Sequence, residues 1–410
     1  MFDTRTPLAA AAALTSAAAA LVLATACQTA DAPGADPAAE HPTATSAAEN
    51  TGNVQPPAPY AGDLPLDLVQ LPPGYAIDVF AEGVTNARSL AYAGDGLVFV
   101  GSRDAGNVYA LQDTDGDQRA DKRWTIAEGL TMPNGVALKG DDLYVATVSK
   151  VLRWRGIRGR LDAPGEPELV YGGYPTETHH GWKFIAFGPD GKLYVPVGAP
   201  CNICESKDEV FASITRLDVE ADAPRPEVVA HGVRNTVGFT WHPDTRELYF
   251  TDNGRDWMGD DTPPCEFNRL PRDGAHFGYP YCHGGTISDP EFGEARACGE
   301  FVAPVQNLGP HVAPLGVEFA AASRFGDYAG QALIAEHGSW NRSVPIGYRL
   351  TRVPVDAAAG TGGAYEVFAE GWLQGGEPWG RPVDLEWLPD GSLLVSDDFA
   401  DAVYRIYRVG

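Results

Sequence analysis

Phe184-Ile-Ala-Phe-Gly-Pro-Asp-Gly-Lys-Leu-Tyr-Val-Pro-Val197 reads as an apolar strand, a tight turn and a second apolar strand. Gly188-Pro-Asp-Gly191 supplies the positive φ that such a turn demands, which Gly, Asn and Asp adopt most easily. The same unit recurs along the chain. Its first strands are Ser89–Tyr92, Asn134–Leu138, Phe184–Phe187, Val237–Trp241, Leu315–Phe319 and Val383–Trp387. Its second strands are Leu97–Val100, Leu143–Ala146, Leu193–Val197, Leu248–Thr251, Leu333–Ala335 and Leu393–Ser396. Turn formers separate them, as in Gly94-Asp-Gly96, Gly140-Asp-Asp142, His242-Pro-Asp244 and Pro389-Asp-Gly391, with a looser fifth copy around Phe325-Gly-Asp327. Six copies of one supersecondary unit predict an all-β fold, a six-bladed β-propeller with four-stranded antiparallel blades. They tile the chain from residue 66 to 410 as one domain.

The formal net charge of −25 argues against a nucleic-acid partner, which calls for a basic face. Residues 8–26 are almost wholly Ala, Leu, Val, Ser and Thr and end in Ala24-Thr-Ala-Cys27. Residues 1–27 therefore read as a lipoprotein signal peptide, with Cys27 the acylated residue and a plain secretory signal as the alternative. Residues 28–65, rich in Ala, Pro, Thr and Glu, bury too little to offset their ordering entropy and read as a disordered tether. The expected product is exported, in the periplasm or at the cell surface, and meets the membrane only through its lipid anchor. In an oxidising compartment the remaining cysteines point to disulfides, since a second C-x-x-C to complete a zinc site is missing. The expected pairs are Cys201 with Cys204 and Cys282 with Cys298, leaving Cys265 odd.

Loops at one end of a propeller channel carry ligands, so polar clusters flanking the repeats are the candidate site. Thr178-His179-His180-Gly181 precedes the third blade, and a neutral imidazole is the natural general base for a hydroxyl proton. His231-Gly-Val-Arg234-Asn235 places a cation beside an amide. Asp252-Asn-Gly-Arg255-Asp256 offers oxygen ligands for a hard cation, Ca²⁺ above all. His337-Gly-Ser-Trp-Asn-Arg342 and Gly380-Arg381-Pro382 place guanidiniums at the channel mouth, predicting a ligand with several carboxylates.

Together with Leu71-Pro-Pro-Gly-Tyr75 and Gly278-Tyr-Pro280, this ordered set of motifs resembles the L-sorbosone dehydrogenase family, itself similar to the soluble pyrroloquinoline-quinone (PQQ) glucose and aldose-sugar dehydrogenases. The resemblance covers residues 66–410. It implies a PQQ- and Ca²⁺-dependent dehydrogenase that oxidises a sugar or sugar aldehyde. His180 would be the catalytic base, with His179 the alternative. Arg234 would stabilise developing oxygen charge, and Arg234, Asn235, Arg342 and Arg381 would hold PQQ. The carbonyls of Gly254 and Arg255 would hold the Ca²⁺. No haem-attaching C-x-x-C-H is present, so electrons would leave to a separate acceptor such as a cytochrome or quinone.

Asp113-Thr-Asp115-Gly-Asp117-Gln-Arg-Ala-Asp121 has the carboxylate spacing of a structural Ca²⁺ loop, although Trp124 stands where a bidentate Glu would complete an EF-hand. A network of Asx turns is the alternative. Two other functions fit a propeller of this kind: a Ca²⁺-dependent lactonase, with its metal on axial carboxylates, and a binding propeller without chemistry.

Overall fold

The structure, a computed structural model, describes residues 60–320 and 325–409. The expectations for residues 1–27, including Cys27, and for the tether up to residue 59 lie outside the described residues.

Six antiparallel sheets follow one another along the chain, each beginning at its innermost strand. Blade 1 is Ala87–Gly94, Leu97–Ser102, Val108–Gln112 and Lys122–Ala127, and blade 2 is Gly135–Lys139, Asp142–Ala146, Val151–Trp154 and Glu168–Tyr171. Blade 3 is Ala186–Phe187, Leu193–Val197, Ser213–Leu217 and Pro226–His231, and blade 4 is Phe239–Trp241, Leu248–Asp252, Pro264–Arg269 and Gln306–Pro310. Blade 5 is Pro314–Phe319, Gln331–Glu336, Arg349–Asp356 and Glu366–Glu370. Blade 6 takes Pro382–Trp387, Leu393–Asp397 and Ala402–Arg408 from the end of the chain and Tyr75–Glu82 from before blade 1. The last pairing, in register Tyr75↔Arg408, ties the two ends of the chain together with backbone hydrogen bonds and gives blade 6 its outermost strand.

The six-bladed architecture is thus as the repeats predict, with local additions. Blade 3 gains a short fifth strand, Ala275–His276, parallel to Pro226–His231. The looser fifth turn is a single 3-10 turn at Gly326–Tyr328. The folded body also starts earlier than residue 66. Tyr60 and Leu64 pack on the apolar cluster between blades 5 and 6, and the Tyr60 hydroxyl accepts the Leu64 N–H and donates to Glu82.

Burial is organised between blades rather than around one centre. Phe99, Val108, Ile126, Val145 and Trp154 join blades 1 and 2. Phe184, Phe239, Phe250 and Phe277 join blades 3 and 4, with Phe184 and Phe239 edge-to-face at 4.8 Å. Each large side chain so buried contributes roughly 1.5–3 kcal/mol, and truncating Phe99 to Ala would cost about 3–5 kcal/mol. At the axis, glycine lets neighbouring inner strands close up. A Cβ on Gly135 would stand 2.4 Å from the Lys183 carbonyl oxygen, and one on Gly238 2.1 Å from that of Leu315. On the same strands Val237, Leu315 and Val383 pack together with Trp182 as a small axial plug. No helix among the described residues is long and apolar enough to cross a membrane.

Candidate active site

Residues that precede an inner strand or follow a second strand emerge at one end of the ring, and there they line a cavity of about 430 Å³. Blade 1 contributes Asn86, Arg88 and Arg103; blade 3 contributes His180 and Trp182; blade 4 contributes Arg234, Asn235, Asn253, Gly254 and Asp256. Blade 5 adds His337, Trp340 and Asn341, and blade 6 adds Arg381, Asp398 and Phe399. Arg88, Arg103, Arg234 and Arg381 outnumber the carboxylates of Asp256 and Asp398, so the cavity favours an anion.

His180 is buried and has a left-handed backbone, φ 51°. Gly198 is what lets it sit there, since a Cβ on that glycine would lie 2.5 Å from the His180 Cβ. Its Nδ1 is 2.9 Å from the Ala199 carbonyl oxygen, which only accepts, so Nδ1 carries the proton and Nε2 keeps its lone pair. Burial, then Arg234 and His179, hold its pKa well below the ordinary imidazole value. His180 is therefore neutral at pH 7 with a basic nitrogen free. The adjacent His179, its ring 4.0 Å away, is exposed and does not line the cavity.

Arg234 is the most heavily tied of the four guanidiniums. Nε donates to the Asn202 carbonyl at 2.9 Å, Nη1 to the Asn253 carbonyl at 3.1 Å, and Nη2 to Asn202 Oδ1 at 2.8 Å and Asp256 Oδ2 at 3.1 Å. One N–H, on Nη1, is left over. Asn202 reaches it because Cys201 and Cys204 are bridged around that residue. Beneath, Asp252 accepts the backbone N–H groups of Arg234 at 2.9 Å and Asn235 at 2.6 Å, and burial lifts its pKa to about 6. Arg381 is less committed, donating Nε to the His337 carbonyl and Nη2 to the Gly338 carbonyl, both at 3.0 Å.

A second imidazole faces the cavity. His337 Nε2 donates to Asp398 Oδ1 at 2.7 Å, and Arg88 Nη1 binds the other Asp398 oxygen at 2.9 Å. Burial pushes the His337 pKa down to about 4. Burial alone would raise that of Asp398, but His337 and Arg88 hold it far below the carboxylate range.

The cavity thus brings together His180, Arg234, Asn235, Gly254 and Arg381. Its lining does not include Arg342, expected among the PQQ-binding groups, or the side chain of Arg255, whose expected role was through its carbonyl. Arg342 turns at the tip of a loop closed by Ser339 and Ile346, and its guanidinium binds the Asp260 carbonyl, the Asp261 carboxylate and the Val344 carbonyl. Arg255 points its side chain away, 2.6 Å from Asp289, a buried carboxylate that also takes His283 at 2.9 Å. In the Asp113 loop, the carboxylates of Asp113, Asp115 and Asp117 come within 4.8 Å of one another, but Asp121 stays apart, accepting the Thr114 N–H and hydroxyl. Asp113 also caps the N–H groups of Gly116 and Gln118, the bonds of an Asx turn. The second bridge joins Cys282 to Cys298, and Cys265 is a buried free thiol whose pKa burial raises to about 11. Arg88, Arg103, Asp398 and the imidazole of His337 are among the lining residues the motifs gave no role. Arg103, His337 and Asp398 each directly follow a second strand, a positional signal that would have found them, whereas Arg88 lies inside an inner strand.

Residues 157–339 match the Glucose / Sorbosone dehydrogenase family, and residues 286–409 match a TrAA12-like family. An uncharacterized protein of Borreliella burgdorferi is 32% identical over 83% of this chain and 90% of its own length. A pyrroloquinoline quinone-dependent pyranose dehydrogenase of Coprinopsis cinerea is 31% identical over 29% of this chain and 18% of its own. Among solved structures, the holo PQQ domain of the Coprinopsis cinerea pyranose dehydrogenase superposes with a TM-score of 0.69 at 20% identity, covering 83% of this chain and 97% of that one. The PQQ-bound aldose sugar dehydrogenase of Streptomyces coelicolor gives 0.59 at 21% identity, covering 82% and 99%. The chain belongs to one family with the Borreliella burgdorferi protein and is related, through its Glucose / Sorbosone dehydrogenase segment, to the PQQ-dependent sugar dehydrogenases.

Proposed function

We propose that the protein is a PQQ- and Ca²⁺-dependent dehydrogenase that oxidises a sugar or sugar aldehyde of the aldose or sorbosone type, with His180 as general base. The observation that carries it is a neutral imidazole, lone pair available, in the same cavity as four guanidiniums. The residues present suit a tricarboxylate quinone. Arg381 retains unused N–H donors, and the Trp182 indole N–H is buried without a partner in the cavity wall, where acceptor oxygens of such a ligand would satisfy it. Arg103 lies over the Trp182 ring at 5.0 Å and adds positive charge beside that donor. For Ca²⁺ the oxygen donors on the blade 4 wall are the Gly254 carbonyl and Asn253 Oδ1, which is left over because Asn253 Nδ2 donates to two carbonyls.

Bound PQQ would supply acceptance of the electron pair and hydrogen that leave the sugar carbon, chemistry that side chains lack. His180 Nε2 takes the hydroxyl proton, with Nδ1–H anchored on Ala199 so that the ring cannot turn. The remaining Arg234 N–H is fixed by four bonds to the protein and offers a preorganised donor to an oxygen gaining charge. Both cavity carboxylates, Asp256 and Asp398, are engaged by arginine, which weighs against a lactonase with its metal on axial carboxylates. The proposal includes export, supported by two disulfides, and delivery of electrons to a separate acceptor.

Reconstitution tests it. EDTA-treated protein mixed with PQQ and CaCl₂ should bind PQQ by calorimetry and reduce a dye with at least one of a panel of aldoses, disaccharides and sorbosone, and omission of Ca²⁺ should abolish the activity. Absence of PQQ binding together with absence of dye reduction across the panel would sink the proposal.

A further inference from the structure

Trp257, Trp340 and Phe399 are the exposed large aromatic side chains among the described residues, at 70%, 66% and 57% exposure, and all three stand at the mouth of this one cavity. Trp340 and Phe399 line it from blades 5 and 6, while Trp257 meets Trp340 edge-to-face at 5.4 Å. A bare indole pair is costly to keep in water, and Trp257 is held with φ 70°, a conformation in which a bulky side chain is an outlier. The pair is also firmly mounted. Asp256 and Asn341, each next in sequence to one of the tryptophans, are joined by Asn341 Nδ2 donating to Asp256 Oδ1 at 2.8 Å, and Asp256 in turn holds Arg234.

Asn341 carries the second observation. A carboxylate only accepts, so the Asn341 NH₂ must face Asp256, and its Oδ1 is left buried in the cavity wall with no partner. An orphaned acceptor suits a hydroxyl donor, which a sugar carries in number, whereas the carboxylates and quinone oxygens of PQQ are acceptors and leave that cofactor a single pyrrole N–H to offer. A polar acceptor beside exposed indole faces is what a pyranose ring meets with its hydroxyl edge and its C–H face. The cavity, at about 430 Å³, lies near the lower end of the ~300–1,000 Å³ usual for ligand pockets, so a substrate longer than one sugar must extend onto this rim.

We propose that Trp257, Trp340 and Asn341 form a subsite for the second ring of an oligosaccharide whose terminal sugar enters the cavity. This rests on the sugar dehydrogenase reading and narrows its substrate class from free monosaccharides to chain ends. Three aromatics on a cavity rim make a smaller patch than the roughly 800 Å² that each partner buries in a standard protein–protein interface, which favours a sugar over an electron-accepting protein as the occupant.

Cellohexaose, maltohexaose, xylohexaose and their monosaccharides would be titrated by calorimetry into the protein, both alone and incubated with PQQ and CaCl₂. At least one hexasaccharide should bind about tenfold or more tighter than its monosaccharide, the equivalent of one aromatic stack. Trp340→Ala should erase that gain and Trp340→Phe should keep most of it. In dye reduction, the ratio of kcat/KM for hexasaccharide over monosaccharide should fall in the same order. Circular dichroism would check folding, and the Phe variants keep the test open if an Ala variant unfolds. Equal affinities for the two sugar lengths, a gain that survives in the Trp257→Ala/Trp340→Ala double variant, or variants that lose only transfer to a protein acceptor would each overturn the subsite. Dye reduction without a length preference would remove the subsite and leave the dehydrogenase standing; a tryptophan-dependent preference without dye reduction by any sugar would do the reverse.

Discussion

At one end of the inner strands Arg88, Arg103, Arg234 and Arg381 accompany the imidazoles of His180 and His337; at the other end the same strands present Tyr92, Phe187 and Trp241 beside Asp384, Glu318 and Glu386, with no Lys or Arg in that lining among the described residues. Between them along the strands stand Val237, Leu315 and Val383, packed on the axis. The contrast follows from connectivity. Where an inner strand turns directly into the second strand, a short hairpin such as Gly188-Pro-Asp-Gly191 fixes length and conformation. Where a blade hands over to the next, the connection is free to vary in length and chemistry, and the polar groups collect there. An anionic ligand would therefore find one end of the ring and be repelled by the other.

The largest test of that division falls on His180. Replacing it with Ala should lower kcat/KM for dye reduction by the PQQ-loaded protein by about 10²–10⁴-fold, the usual contribution of a general base. Its depressed pKa also fixes the direction of the pH profile. The base stays deprotonated below the ordinary imidazole range, so the acid limb of kcat/KM should fall below about pH 6.5. A limb at or above that value would mean that neither His180 nor His337 is the base, and a His180→Ala variant that retains activity with a low limb would move the base to His337 on Asp398.

A smaller effect separates two arginines that the sequence treats alike. Arg381→Ala should weaken PQQ binding about 10- to 100-fold, as expected for a lost charge-assisted hydrogen bond. Arg342→Ala should change it by no more than about twofold, the scale of an exposed surface pair, because its guanidinium serves Asp260 and Asp261 instead. Calorimetry with PQQ and CaCl₂ distinguishes them. A larger loss for Arg342 would mean that the loop from Ser339 to Ile346 rearranges around the ligand.

The propeller was legible because its signal is local: each turn and its apolar flanks repeat, and a repeat needs no tertiary information. Ring closure was less so, since Tyr75–Glu82 joins blade 6 through partners at the opposite end of the chain. For the cavity, the sequence located His180, Arg234 and Arg381 by position before a blade, but position does not say where a side chain turns. Arg255 follows Gly254 directly and yet leaves the cavity, because Asp289, more than thirty residues on, would otherwise be a buried carboxylate with one partner fewer. Arg88 sits inside an inner strand, where its neighbours Ala87 and Leu90 suggest core, and only the meeting of blades 1, 5 and 6 gives it Asp398 and places Asp398 on His337. Such groupings arise from blade-to-blade contact and leave no mark in any one stretch of chain.

The smallest effect belongs to the acidic end. Asp384 is buried, accepts the Leu90 N–H at 2.9 Å, and burial lifts its pKa to about 7. In the unfolded chain the same group titrates near 3.9. The folded state thus holds a proton that the unfolded state releases, so this contribution to stability is fully present below about pH 4 and is lost as pH rises through about 7. Glu266, also lifted to about 7 by burial, acts in the same direction. These two groups therefore pull the melting temperature down between about pH 5 and pH 8, against the buried imidazoles of His180 and His337, whose lowered pKa acts the other way below about pH 6.5. Asp384→Asn keeps an oxygen for the Leu90 N–H but cannot ionise, and should flatten that fall by about 2 °C or more. An Asp384→Asn variant whose melting temperature tracks the wild type across this range would show that the carboxyl does not change protonation there, and the acidic end of the channel would then be charged throughout.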